Sequence, residues 1–103
     1  MTNFVNSIVL TGISGGCAKA SQPKNDEPYA FSSIAVKRPE PSKVNDYFTI
    51  VGFGEVASKI ALFTKGTPIS VRGRLEANRY TDKNGMTKES YRVIVEDITR
   101  VVE

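Results

Sequence analysis

Residues 72–85, "RGRLEANRYTDKNG", place three arginines and a tyrosine on a segment that reads as one strand running into a turn. Side chains two apart on a strand share a face. Ser70, Arg72, Arg74, Glu76, Asn78 and Tyr80 therefore line one side, while Ile69, Val71, Gly73, Leu75 and Ala77 form a row suited to a core, with Arg79 beside the charged face. A second group lies in "DYFTIVGF", residues 46–53, where Tyr47, Thr49, Val51 and Phe53 alternate with Phe48, Ile50 and Gly52. Both of its faces are partly apolar; one must cover a core, and the other would offer rings to solvent. Flat rings flanked by cations suit single-stranded nucleic acid, because bases stack on π-faces for about 1–3 kcal/mol each while Lys and Arg hold the phosphates. The plainer reading is a solvated outer face, ordinary for any half-buried strand, with Phe53 packed under a helix and Tyr47 capping the core. Alternation alone leaves both open.

Other chemistries lack material. "GISGG", residues 12–16, satisfies the G-x-S-x-G pattern of a hydrolase elbow, but the chain has no histidine to serve as base for Ser14 and no helix pattern follows. A flexible turn after the first strand accounts for it, and Ser14→Ala is expected to leave nucleic-acid binding unchanged. No phosphate-binding G-x-x-x-x-G-K-[ST] occurs. Cys17 stands alone, which excludes an internal disulfide, and without histidine a zinc site has few ligands. No metal or cofactor is expected, and Cys17 reads as a passive loop thiol.

The elements that must position these residues follow from period and punctuation. "FVNSIVLTG", residues 4–12, reads as a first strand, and "ISGGCAKASQPKNDEP", residues 13–28, as a long loop rich in Gly, Ser, Ala and Pro. Residues 29–37 read as a second strand, and "RPEPSKVN", residues 38–45, as a mobile loop broken by two prolines. The third strand is 46–53. Residues 55–66 place Val56, Ile60 and Phe63 at helical spacing, with Gly66 as a C-terminal cap and Pro68 beyond. Residues 68–80 give a fourth strand, Asn84 and Gly85 a turn, and residues 89–102 a last strand. Five strands with one short helix between the third and fourth is the element order of an OB-fold, an all-β Greek-key barrel. A plain antiparallel sheet with a packed helix also fits the pattern.

With 103 residues and no internal repeat, the chain is expected to fold as one domain, residues 1–103. Its net charge of +3 is unevenly spread. Residues 37–92 carry eleven Lys and Arg against six Asp and Glu, a local +5, and the rest carry three against five, −2. A polyanion would find its counter-charge in the central and later strands. No apolar run is long enough to span a membrane, and "MTNFVNSIVLTG" lacks the parts of a secretory leader. A soluble, cytoplasmic protein is expected.

"DYFTIVGFGEVASKIALFTKGTPISVRGRLEANRYTDKNG", together with "MTNFVNSIVLTG" and "RVIVED", resembles the bacterial and phage single-stranded DNA-binding proteins of the OB-fold type over nearly the whole chain. The first-strand motif is also similar to that of the related primosomal replication protein. The resemblance implies base stacking at Tyr47, Phe53 and Tyr80, where the family often has tryptophan in place of both tyrosines. A further family aromatic, in the hairpin between strands two and three, would fall in "KRPEPSK", which has none; Lys37, Arg38 and Lys43 are its charged substitutes. Arg72, Arg74 and Arg79 would hold phosphates beside Tyr80, with Lys83, Lys88 and Arg92 as weaker electrostatic candidates.

The same resemblance implies non-catalytic, largely sequence-independent coating of single strands in DNA replication, recombination and repair, by a homo-oligomer, tetramer favoured over dimer, located with the nucleoid or, for a phage protein, in the infected cell. Replication and repair proteins are implied as partners. Many members recruit them through an acidic C-terminal tail, and a short form without that tail is expected here. The competing readings are a primosome-type accessory acting mainly through protein partners, whose DNA binding would be weak and indifferent to loss of Tyr47 or Tyr80, and an RNA chaperone, since stacking discriminates poorly between sugars.

Overall fold

A computed structural model describes residues 3–21 and 29–102, with the side chains of residues 17–21 outside the description. The elements are β1 (Ile8–Ser21), β2 (Tyr29–Lys37), β3 (Asn45–Phe53), α1 (Glu55–Leu62), β4 (Pro68–Thr81) and β5 (Thr87–Arg100). They close into a barrel in the order β1-β2-β3-β5-β4. β1 serves two partners: Ile8–Ile13 pairs with Gly73–Pro68 of β4, and Ile13–Ser21 pairs with Ala35–Tyr29 of β2, both antiparallel. Closure comes from a short parallel seam, Ile50 beside Val93 and Val51 beside Ile94. A closed five-stranded barrel with its helix between β3 and β4 is an OB-fold, and the parallel seam sets aside a plain antiparallel sheet. No helix among the described residues is long and apolar enough to cross a membrane.

Inward-pointing residues of all five strands and α1 make the core. Ile34, Ile50, Ile60, Ile69, Val71 and Val93 are its largest fully buried side chains, and Ile8, Leu10, Val36, Phe48, Val56 and Phe63 pack around it. On β4 the odd row is buried at Ile69, Val71 and Gly73, as the alternation predicts, but Leu75 and Ala77 are exposed, because there β4 leaves the core as the ribbon it forms with β5. β5 changes phase along its length. Val93 and Val95 point inward, then Glu96 is an extra residue opposite the Arg72–Gly73 step, so that even-numbered Ile98 also reaches the core at 3% exposure. α1 seats Ala57 and Ile60 against the barrel. It does so over Gly52, where a Cβ would fall 2.6 Å from Ile60 Cδ1 and 2.7 Å from Val56 Cγ1. Only a residue without a side chain lets the helix approach so closely.

Two sequence expectations are overturned. Residues 13–21 are the second half of β1, not loop, and "GISGG" is a bulged strand rather than a turn, with register shifts between Ser14 and Cys17 and between Cys17 and Lys19. Polar groups are satisfied locally there: Ser14 is 3% exposed, its N–H donates to the Thr67 carbonyl at 2.8 Å, and its hydroxyl accepts the Gly16 N–H at 3.0 Å. The thiol of Cys17 and residues 22–28 of the expected loop lie outside the described residues. The helix also ends early. Phe63 is extended, with its N–H on the Ile60 carbonyl, and Gly66 (φ +94°) sits in a following turn, donating to the Ser14 carbonyl at 2.8 Å instead of capping the helix. Leaving the helix at residue 63 lets the Phe63 ring pack on the core.

Candidate nucleic-acid interface

The rings of β3 stand on the outside of the barrel because Phe48, Ile50 and Gly52 occupy its inside. Tyr47 is 71% exposed and Phe53 40%; Phe53 lies away from the helix, whose footprint is Gly52, and Tyr47 does not cap the core. Antiparallel pairing brings two more rings to this face, since Tyr29 is opposite Phe53 and Phe31 is opposite Val51. Tyr29 and Phe31 stack with centroids 6.4 Å apart and planes 13° from parallel, and Tyr29 meets Phe53 at 6.4 Å and 41°. These offset separations are typical of paired aromatic rings. Tyr29 and Phe31 received no role from the sequence, although the alternation of Tyr29, Phe31, Ser33 and Ala35 against Ala30, Ser32, Ile34 and Val36 held the signal. The register to β3 was what was missing.

The face continues across the seam. Phe31 is opposite Val51, Val51 is beside Ile94, and Ile94 is opposite Arg74. One row of neighbours on β2, β3, β5 and β4 thus runs from a ring over two buried aliphatics (Val51 4% exposed, Ile94 5%) to a guanidinium. The next pair along β4 and β5 is Glu76 opposite Arg92, then Asn78 opposite Ser90 and Tyr80 opposite Lys88. Tyr80 is 48% exposed. Arg74, Arg92, Tyr80 and Lys88 therefore share the outer face with Tyr47 and Phe53, of which alternation along β4 had joined only Arg74 and Tyr80. Arg72, outward on β4 opposite Asp97 and Val9, lies beyond the bulge. Arg79 belongs to the other face of the β4–β5 ribbon, with Ala77, Glu89 and Tyr91, so Tyr80 and Arg79 point to opposite sides.

Carboxylates accompany most of the candidate cations. Arg72 is 3.6 Å from Glu96, Arg74 3.7 Å and Arg92 2.7 Å from Glu76, Arg79 2.9 Å from Glu89, Lys88 3.3 Å from Asp82, and Lys37 3.1 Å from Glu40. Arg38 grips Asp46 through Nε and Nη2, with the shortest contact at 2.8 Å. These donated hydrogen bonds hold the Asp46 carboxyl below its ordinary pKa. Glu89 is lowered likewise, first by Arg79 and then by the Tyr91 hydroxyl, whose own pKa is raised in return. All of these side chains are solvent-accessible, so each pair contributes little to stability and can exchange partners. Among the twelve residues picked from the sequence, Lys43 and Lys83 form no ion pair with the described acids.

Lys83 rides on the turn between β4 and β5, which Asp82 organises. Its Oδ1 accepts the N–H groups of Asn84 at 2.9 Å and Met86 at 3.0 Å, and its Oδ2 faces Lys88. The Met86 N–H comes first among the causes that lower the Asp82 pKa. Gly85 takes φ +78° to close the loop, a conformation costly for a residue with a Cβ. The result is a fixed tip that carries Lys83 next to the Tyr80–Lys88 pair. In OB-folds the strand 2–3 face and the loops between strands 1 and 2 and strands 4 and 5 are the usual oligonucleotide surface. The rings and cations described here occupy that face and the second of those loops.

Over 93 residues the chain is 31% identical to single-stranded DNA-binding protein 2 of Nostoc sp., an alignment that covers 89% of this chain and 73% of that protein. The family model described as the single-strand binding protein family matches residues 5–101, from the segment before β1 to the residue after β5, and the chain belongs to that family.

Proposed function

We propose that this chain binds single-stranded DNA without catalysis and largely without sequence preference, through the outer face of β2, β3 and the β4–β5 hairpin. Residues 1–103 act as one OB-fold binding domain. Bases stack on Tyr47, Phe53 and Tyr80, and Phe53 is flanked by Tyr29, which in turn stacks with Phe31. Phosphates take Arg74, Arg92, Lys83 and Lys88, with Arg72, Arg79, Lys37, Arg38 and Lys43 at the margins. The observation that carries this reading is the group of partly exposed rings on a barrel face which, in a monomer, no core requires. The role that follows is protection of strands exposed in replication, recombination and repair, in the cytoplasm and as a homo-oligomer.

A second reading is favoured by the carboxylate partners of the arginines, which reduce the charge offered to phosphate. In it the chain is a primosome-type accessory that acts through protein partners. The test is fluorescence anisotropy of a labelled oligo-dT titrated with wild type and Tyr80→Ala at two salt concentrations, with duplex competitor. Tight binding that resists duplex and weakens on loss of the ring supports stacking recognition. Weak binding that vanishes with salt and ignores the substitution supports the accessory.

A further inference from the structure

Arg74 and Arg92 converge on one acid. Glu76 Oε1 accepts from both Nε and Nη2 of Arg92, at 2.9 and 2.7 Å, while its Oε2 lies 3.7 Å from Nη2 of Arg74. Glu76 and Arg92 are direct cross-strand partners, and Arg74 is opposite Ile94, one pair along the same outer face. The carboxylate thus sits between the two guanidiniums nearest the Val51–Ile94 floor. One oxygen accepts from the Nε–Nη2 edge of Arg92 and the other makes a looser ion pair with Arg74, so the carboxylate holds charge that a phosphate would otherwise meet. Its side chain is 36% exposed, and those of Arg92 and Arg74 are 44% and 48% exposed.

We infer that Glu76 is an internal competitor for the DNA phosphates, a residue that sets the affinity of this face by occupying Arg74 and Arg92 until a phosphate displaces it. The inference rests on the single-strand-binding reading above. An exposed ion pair is weak enough to yield to a polyanion. Each binding event must nevertheless break it, so affinity and the count of released counterions are both lower than the arginines alone would give. Glu76 also confers selectivity: an isolated anion has to overcome the carboxylate with one phosphate, whereas a strand held by stacked bases brings its phosphates in at high local concentration.

The test is Glu76→Gln, which keeps an amide oxygen to accept from Arg92 and removes only the charge. Oligo-dT binding is measured by anisotropy across a salt series, with Glu55→Gln as a charge-matched control outside the Arg74–Glu76–Arg92 group and with the Glu76 change repeated in an Arg74→Gln/Arg92→Gln background. Thermal melting confirms folding of each variant. The expected result is binding about three- to fivefold tighter at low salt, the most that one exposed pair supplies. The salt slope should steepen by about 0.7 for each phosphate newly neutralised. The control should gain less, and the double-arginine background should show no gain. A gain equal to that of Glu55→Gln, a gain that survives without the arginines, or no gain in a protein that binds normally overturns the inference and leaves single-strand binding standing. Failure of wild type to bind oligo-dT at low salt overturns both.

Discussion

Tyr47→Ala separates recognition from folding more cleanly than any other ring substitution on this face. Tyr47 is 71% exposed, and the residue opposite it, Ala35, is too small to enclose it. A fully enclosed tyrosine buries on the order of 200 Å², so roughly 60 Å² is covered here, which at ~25 cal/mol per Å² limits the stability loss to about 1.5 kcal/mol. Loss of one stacking platform should cost about 1–3 kcal/mol of binding, or roughly 5- to 150-fold in Kd. Phe53 would be a poorer probe, because its removal also takes away the neighbour of Tyr29. The assay is anisotropy of labelled oligo-dT at several salt concentrations, beside a urea titration of the free protein. The variant's Kd should rise by that factor at every salt concentration with an unchanged slope, since no phosphate contact is lost. A Kd within twofold of wild type in a folded variant would refute stacking at Tyr47. A loss that appears only at low salt would reassign the effect to electrostatics.

Lys83→Ala should behave in the opposite way, weakening binding at low salt and flattening the salt slope by about 0.7, with no change in melting temperature. Gly52→Ala should lower stability by about 1–3 kcal/mol, because the new Cβ displaces Ile60 or Val56 and so lifts α1; a urea midpoint equal to that of wild type would contradict the packing described. Asp82 has a folded pKa below its ordinary 3.8, so its contribution is complete above that value and is lost as pH falls through the lower folded one. Melting temperatures measured from pH 6 down to pH 2 should therefore fall less steeply for Asp82→Asn than for wild type, and equal slopes would remove Asp82 from the turn's acid response.

Most of the barrel was legible where one face of a strand is apolar and the other is not. β2, β4 and the inner row of β3 follow that rule, and α1 follows its 3.6-residue counterpart at Val56 and Ile60. The second half of β1 carried no such signal. Around Ser14 lie Gly12, Gly15 and Gly16, whose place in the barrel is fixed by backbone pairing and local hydrogen bonds. Glu96 was illegible for a related reason, since an extra residue is visible only against the partner strand. At the interface, the relative facing of Arg74, Glu76 and Tyr80 came directly from alternation. What alternation could not supply was the neighbour on another strand: Tyr29 against Phe53, Ile94 beside Val51, or the carboxylates beside Arg72, Arg79 and Arg92. Arg79 is the opposite case, since alternation itself puts an odd-numbered position on the far face and its grouping with Tyr80 overrode that. Adjacent in sequence to Tyr80, it is turned by the pleat to the far side of the ribbon.

The parallel seam gives the barrel a place to come apart. β4 and β5 are paired along their whole length, and β2 and β3 are paired end to end, whereas only two residues of β3 meet β5. Opening a structure costs least where the fewest contacts must break, so breathing should begin as a parting of Val51 from Ile94 and briefly uncover the interior beneath. The proposed path of a nucleic-acid strand, from the rings of β2 and β3 to the arginines of β4 and β5, runs straight over that gap. A bound strand would act as a stitch, holding the two halves shut from outside. Amide hydrogens around Ile50, Val51, Val93 and Ile94 should then exchange more slowly in the complex than their distance from any phosphate would suggest.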